Sequence, residues 1–143
     1  MKWSITYFSN IRYMNAHQLP LSTAVFPPKF FKQTHINKND VVLGITCTEL
    51  VPKQQCECPC NSKDYNSCDF LKTYYHQLSH IDFTKFIDNV ELFVSKLENI
   101  TFVDIDEIVL LVYERPDNLC SERTVLKKWF KDNGIILNEM EAK

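Results

Sequence analysis

Apolar and polar positions alternate at the start of the chain. Trp3, Ile5 and Tyr7 stand against Ser4 and Thr6, the period of two that predicts a β-strand ending in the polar turn 9–12. Residues 21–26 predict a second short strand stopped by Pro27-Pro28, and residues 41–46 a weaker third after a loop rich in Lys and Asn. The stretch 108–113 reads Ile-Val-Leu-Leu-Val-Tyr, apolar without alternation, as expected of a central parallel strand covered on both faces. Helical spacing appears three times. A helix begins near Asp69 with Phe70, Leu71, Tyr74 and Tyr75 on one side, and a longer one capped by Asp82 carries Phe83, Phe86, Ile87, Val90, Phe93, Val94 and Leu97 as a core stripe. The third has Ser121 as N-cap, Val125, Leu126, Trp129 and Phe130 as its apolar stripe, and Asn133-Gly134 as its stop. There is no internal repeat.

The last strand, turn and helix place chemistry where a parallel sheet usually holds its ligand. The crevice beyond the carboxyl end of the strand at 108–113 is edged by Glu114, Arg115 and the helix start at Cys120. At about 100° per residue Glu122 projects along the apolar stripe and Arg123 along its flank, while Lys127, Lys128 and Lys131 fall opposite. A charge on the inward face needs a partner, a ligand or water. Two readings follow: a functional site, or Glu122 complementing the helix dipole with Arg123 paired to Asp117 or Glu114. Cys120, at a helix N-terminus beside an arginine, is either an activated thiol or a small packing residue; His17, His35, His76 and His80 reach it only through the fold. His76 and His80, four apart, read as ordinary surface or boundary residues.

Composition narrows the function classes. The length of 143 residues fits one domain spanning 1–143, and the net charge of −2 gives no general attraction for nucleic acid. No apolar run is long enough for a membrane span, and the opening residues lack the apolar core of a secretory signal, so a cytoplasmic, reducing setting is expected. Gly44 and Gly134 are the only glycines, which excludes a Walker-type phosphate loop and a dinucleotide fingerprint.

Between 47 and 68 the hydrophobic pattern lapses and five of the six cysteines appear, spaced Cys-x8-Cys-x-Cys-x-Cys-x7-Cys. This marks a cysteine-rich excursion from the core. Such thiol density suits a structural zinc site held by Cys56, Cys58, Cys60 and Cys68, with Cys47 as the alternative to Cys58; the other reading is free thiols or adventitious disulfides. Four thiolates would close the site to catalysis and contribute folding energy.

Two stretches carry a family resemblance. The first is Thr6-Tyr7-Phe8-Ser9-Asn10-Ile11-Arg12 with Ser22-Thr23-Ala24-Val25-Phe26-Pro27-Pro28-Lys29-Phe30-Phe31. The second is Val109-Leu110-Leu111-Val112-Tyr113-Glu114-Arg115-Pro116 leading to Cys120 and Trp129. In these the chain resembles the domain of unknown function 488 family. It departs at the helix start: Cys120-Ser121-Glu122-Arg123 stands where many members have Cys-His-Arg, so the histidine is absent and the arginine is displaced by one residue. The resemblance implies a small three-layer α/β domain, a mostly parallel central sheet flanked by helices, with the cysteine-rich loop as an insertion. It implies a polar pocket at the sheet's carboxyl edge and supplies no established reaction.

The pocket expected there gathers Asn10, Arg12, Lys29, Tyr113 and Arg123 as ligand-binding residues and Glu114, Glu122 and Cys120 as catalytic ones. Arginines, a lysine and helix N-terminal amides suit a phosphate or carboxylate, so the expected partner is an anionic small molecule or nucleotide. Three functions follow: an enzyme acting on that anion, a module that binds a nucleotide or nucleic-acid end without turnover, or a zinc-pinned surface that docks another protein.

Overall fold

The computed structural model describes residues 1–24, 26–37, 40–53, 68–118 and 120–141. Its strands are β1 (Lys2–Tyr7), β2 (Gln18–Ser22), β3 (Thr34–Asn37), β4 (Asp40–Leu43), β5 (Ile45–Thr46), β6 (Glu107–Val112) and β7 (Asn138–Glu139). The helices are α1 (Asp69–Ser79), α2 (Phe83–Thr101) and α3 (Glu122–Asp132), with 3-10 turns at Phe8–Tyr13 and Thr48–Leu50. Five strands form an all-parallel sheet in the order β5-β2-β6-β1-β7, and β3 pairs antiparallel with β4 apart from it. This is the α/β architecture that the sequence pattern predicts.

The unalternating strand sits in the middle of the sheet. β6 runs in register with β1 from Lys2↔Glu107 to Tyr7↔Val112 and with β2 from Gln18↔Glu107 to Ser22↔Leu111, and all its residues are buried. Because side chains alternate across a strand, Ile108, Leu110 and Val112 enter the core built with all three α-helices, while Val109 and Leu111 pack with Phe8, Ile11, Met14, Ala24 and Val42 on the other face. Complete burial of a leucine such as Leu110 contributes about 1.5–3 kcal/mol. The layers are thus α-helices on one side of the sheet, and the first 3-10 turn with the β3–β4 hairpin on the other. On the helical side Trp3 packs on Phe130, Phe83 on Trp129 and Phe86 on Trp129, with ring centroids 5.3, 4.9 and 5.5 Å apart, tying β1 to α2 and α3.

Helix boundaries follow their caps. The Asp82 carboxylate accepts from the Lys85 amide at 3.2 Å and the Ser121 hydroxyl from the Arg123 amide at 3.1 Å. Gly134, at φ +89°, follows the end of α3. In the α2 stripe Phe86 and Val94 are buried, while Phe93 remains 40% exposed and is not core.

Two strands differ from expectation. β2 starts at Gln18, upstream of the predicted 21, because Pro20 is accommodated inside it: β5 reaches only Leu21 and Ser22, so the part holding Pro20 has β6 as its sole sheet neighbour. The stretch 41–46 divides at Gly44 into β4 and β5. The chain passes so close there that a Cβ on Gly44 would lie 2.3 Å from the Lys32 carbonyl oxygen. Among the described residues no helix is long and apolar enough to cross a membrane.

Candidate functional site

In a parallel sheet every strand ends at the same edge, and a crevice opens where neighbouring strands send their connections to opposite faces. β6 does this with both neighbours. Its chain leaves into α3 on the helical face, whereas β1 leaves into the 3-10 turn and β2 toward the hairpin, both on the other face. The space beyond Val112 is therefore bounded by Tyr113, Glu114 and Arg115, by the start of α3, by the turn after β1 and by Thr23 after β2.

Glu122, the first residue of α3, reaches across this edge to β2. Its Oε2 lies 2.5 Å from the Thr23 hydroxyl, which is also 3.1 Å from the Leu111 carbonyl oxygen. A hydroxyl has one proton to give, and a carbonyl can only accept. That proton serves the nearer Glu122 oxygen or the Leu111 carbonyl, and a protonated Glu122 can itself donate to Thr23 when the hydroxyl turns to Leu111. Burial pushes the Glu122 pKa up to about 8 from the ordinary 4.5, with the Thr23 hydrogen bond opposing and the charge of Glu114 adding. Burial also raises the Tyr74 phenol, which donates to the Leu50 carbonyl beneath the site.

Arg123 is built in. It is 3% exposed, its Nε lies 3.0 and 3.1 Å from the two carboxylate oxygens of Glu139, and its Nη1 donates to the Glu114 carbonyl. The side chain thereby ties β7 to the end of β6. Its Nη2 is buried and has no acceptor among the described residues. The Glu114 carboxylate accepts from the Ser121 hydroxyl at 3.0 Å. The expected pairing of Arg123 with an acid is present, but the partner is Glu139, sixteen residues downstream, which a reading confined to neighbouring acids passes over. Lys127 shares the same carboxylate at 2.8 Å.

The remaining predicted residues are spread along the edge. Asn10 is buried and donates to the Thr6 hydroxyl at 2.8 Å, in the last turn of β1. Arg12 is exposed with its guanidinium 4.8 Å from the Tyr13 ring centre, and Lys29 is exposed on the loop after β2. Neither forms an ion pair with a described acid, and neither contacts Glu122 or Arg123 through a hydrogen bond. Tyr113 is half-exposed, packs on Phe8 at 5.0 Å and donates to the Phe26 carbonyl. Arg115, expected at the crevice edge, lies 5.7 Å from the Tyr7 ring centre, over the end of β1. Thr23, which sits beside Glu122, was missed; its signal was its position one residue past β2. A cleft of about 830 Å³ lined by Ala24, Thr46, Lys53, Gln77 and His80 adjoins the ends of β2 and β5. His76 and His80 are exposed on the α1 side, with their Nε2 atoms 3.1 Å apart.

Cys56, Cys58 and Cys60 lie outside the described residues. Cys68 is buried at the N-cap of α1, and its sulfur is 3.5 Å from that of Cys120, just ahead of α3. Burial pushes the Cys47 thiol up, against hydrogen bonds from the backbone of Leu50 and Glu49. Among the described residues no three His, Cys, Asp or Glu side chains form a group able to hold a metal ion. No family model, curated protein or solved structure matches the chain.

Proposed function

We propose that the protein is an enzyme that moves a proton on an anionic, phosphate-bearing or nucleotide-like substrate in the crevice at the carboxyl end of β6. One observation carries the reading: Glu122, with its pKa pushed up to about 8, faces Thr23 close to the Glu114 carboxylate, so a group able to give a proton at neutral pH stands beside one able to accept it. Glu122 is the acid and Glu114 the acceptor. Arg12, Lys29 and Arg115 attract the anion, since none is paired with a described acid, and the buried Nη2 of Arg123 is a donor that a substrate oxygen completes. Asn10 and Tyr113 line the approach. Cys120 carries no step in this scheme, because its thiol contacts Cys68. Kinship with the domain of unknown function 488 family belongs to the same proposal, and its support is that the matching stretches fall on β1, the end of β2 and β6, which are neighbours in the sheet.

A second reading has its own observation. Tyr113 is 50% and Phe26 74% exposed, joined by the hydrogen bond from the Tyr113 phenol to the Phe26 carbonyl, and neighbouring exposed aromatic residues suit a module that stacks a nucleotide or nucleic-acid end without turning it over.

Thermal unfolding in the presence of inorganic phosphate, nucleoside phosphates and sugar phosphates separates the two. A ligand at a hundredfold excess over its Kd adds about 2.7 kcal/mol, a rise in Tm of about 6–10 °C for a chain of this size. Arg12→Ala with Arg115→Ala should remove that rise, while Glu122→Gln should keep it and abolish turnover of the same compound. No shift with any anion overturns both readings; a shift without Glu122-dependent turnover leaves the binding module.

A further inference from the structure

Cys68 and Cys120 are 52 positions apart in sequence, yet their sulfurs are 3.5 Å apart where the N-termini of α1 and α3 adjoin. We propose that these two thiols form a redox pair that closes reversibly to a disulfide when a peroxide reaches Cys120, clamping α1 to α3. The sulfurs are already close to bonding distance. A disulfide holds them about 2.05 Å apart, so the pair closes by about 1.5 Å, a shift that rotation of both side chains about Cα–Cβ supplies. Burial assigns the roles: Cys120 is half-buried and open to a small oxidant, whereas Cys68 is 1% exposed and meets the oxidised Cys120 from inside. Capping does not account for the cysteine at 68, because it is the N-cap of α1, where Ser, Thr, Asp or Asn is favoured, and its side chain makes no capping hydrogen bond. The other described cysteine, Cys47, is a poor competitor, since burial pushes its thiol pKa up and a neutral thiol reacts slowly.

The oxidation runs in two stages. The Cys120 sulfur attacks one oxygen of hydrogen peroxide and the O–O bond breaks, giving a sulfenic acid and one water. The Cys68 sulfur then attacks the Cys120 sulfur, the S–O bond breaks, and the departing hydroxide takes the Cys68 proton as a second water. Two electrons pass from the thiols to the peroxide, and an added dithiol returns them by exchange. The consequence is mechanical: the bond ties the start of α1 to Cys120, two residues ahead of Glu122, so oxidation stiffens the helix start that presents Glu122 and Arg123. The inference is independent of the proposed enzyme activity, and its readouts do not involve a substrate.

The test uses the full chain, reduced and then treated with about one equivalent of hydrogen peroxide in the presence of a chelator, so that no metal shields a thiol. Peptide mapping without reductant should find Cys68 joined to Cys120 as the main linkage, and dithiothreitol should release it. In Cys68→Ser, dimedone should trap the sulfenic acid on Cys120; in Cys120→Ser, Cys68 should stay reduced. Closing a loop that spans 52 positions should raise Tm by about 5–15 °C, a rise that both variants lack. Should either variant fail to fold, the linkage map and the Tm of the unaltered chain decide. Cys68 and Cys120 both still open to alkylation after peroxide, either of them joined instead to another cysteine, or a Tm that does not rise on oxidation would each overturn the proposal.

Discussion

Replacing Glu122 by Gln should make the protein more stable, and by an amount that depends on pH. The amide has nearly the shape of the protonated acid, and its oxygen can accept from the Thr23 hydroxyl where the carboxyl Oε2 does, or its nitrogen can donate when that hydroxyl turns to Leu111. What it removes is a titration. An unfolded Glu ionises near 4.5, while the folded Glu122 holds its proton up to about 8. Between those values the native state binds one more proton than the unfolded chain, so the contribution of Glu122 is full below pH 4.5 and is lost as pH rises through 8. Each pH unit in that window is worth about 1.4 kcal/mol, so the whole interval amounts to about 5 kcal/mol. Because Glu122 retains some contact with water, an effective range of about 2–5 kcal/mol is the working figure. Urea unfolding of both proteins at pH 5, 6, 7 and 8 reads the effect directly, with the variant gaining most at pH 8. Parallel stability curves, with a constant difference across that range, would refute the claim that Glu122 is a buried acid.

Other substitutions test the frame around the site. Arg123→Ala leaves Glu139 with Lys127 alone and frees β7 from β6, which should cost about 1.5–3 kcal/mol in urea unfolding; Arg123→Lys should fail to restore it, because one ammonium cannot serve both the Glu139 carboxylate and the Glu114 carbonyl. Loss of less than about 1 kcal/mol would mean the clamp is not structural. Asp82→Ala removes the acceptor for the Lys85 amide and should lower stability by about 1 kcal/mol while leaving the far end of the molecule unchanged; a neutral result would show that the start of α2 is held by packing alone.

The parts of this fold legible in sequence are those where a local pattern and the tertiary environment agree. The unbroken apolar run of β6 announces burial on both faces, and Asp82 and Ser121 mark helix starts because their side chains cap them. β2 was displaced because Pro20 reads locally as a breaker, and its tolerance depends on how far β5 extends, a fact about another segment. β4 lies in the strand predicted at 41–46, whereas its hairpin partner β3 carries too little apolar alternation to declare itself. The inward lean of Glu122 and Arg123 was readable from helical geometry, yet their partners, Thr23 and Glu139, were not, since both arrive from other strands. Likewise nothing local tells that Cys120 meets Cys68: the contact is made by the packing of α1 on α3.

The order of strands in the sheet has a consequence for synthesis. β1 and β2 are made first but never touch each other in the sheet; the strand that joins them, β6, is translated last but one. From Ser22 to Val112 a ribosome adding about 5–20 residues per second needs roughly 5–20 s. Throughout that interval the nascent chain has two apolar ribbons with no middle partner, so Trp3, Ile5, Leu19 and Leu21 wait for their cover until the keystone arrives.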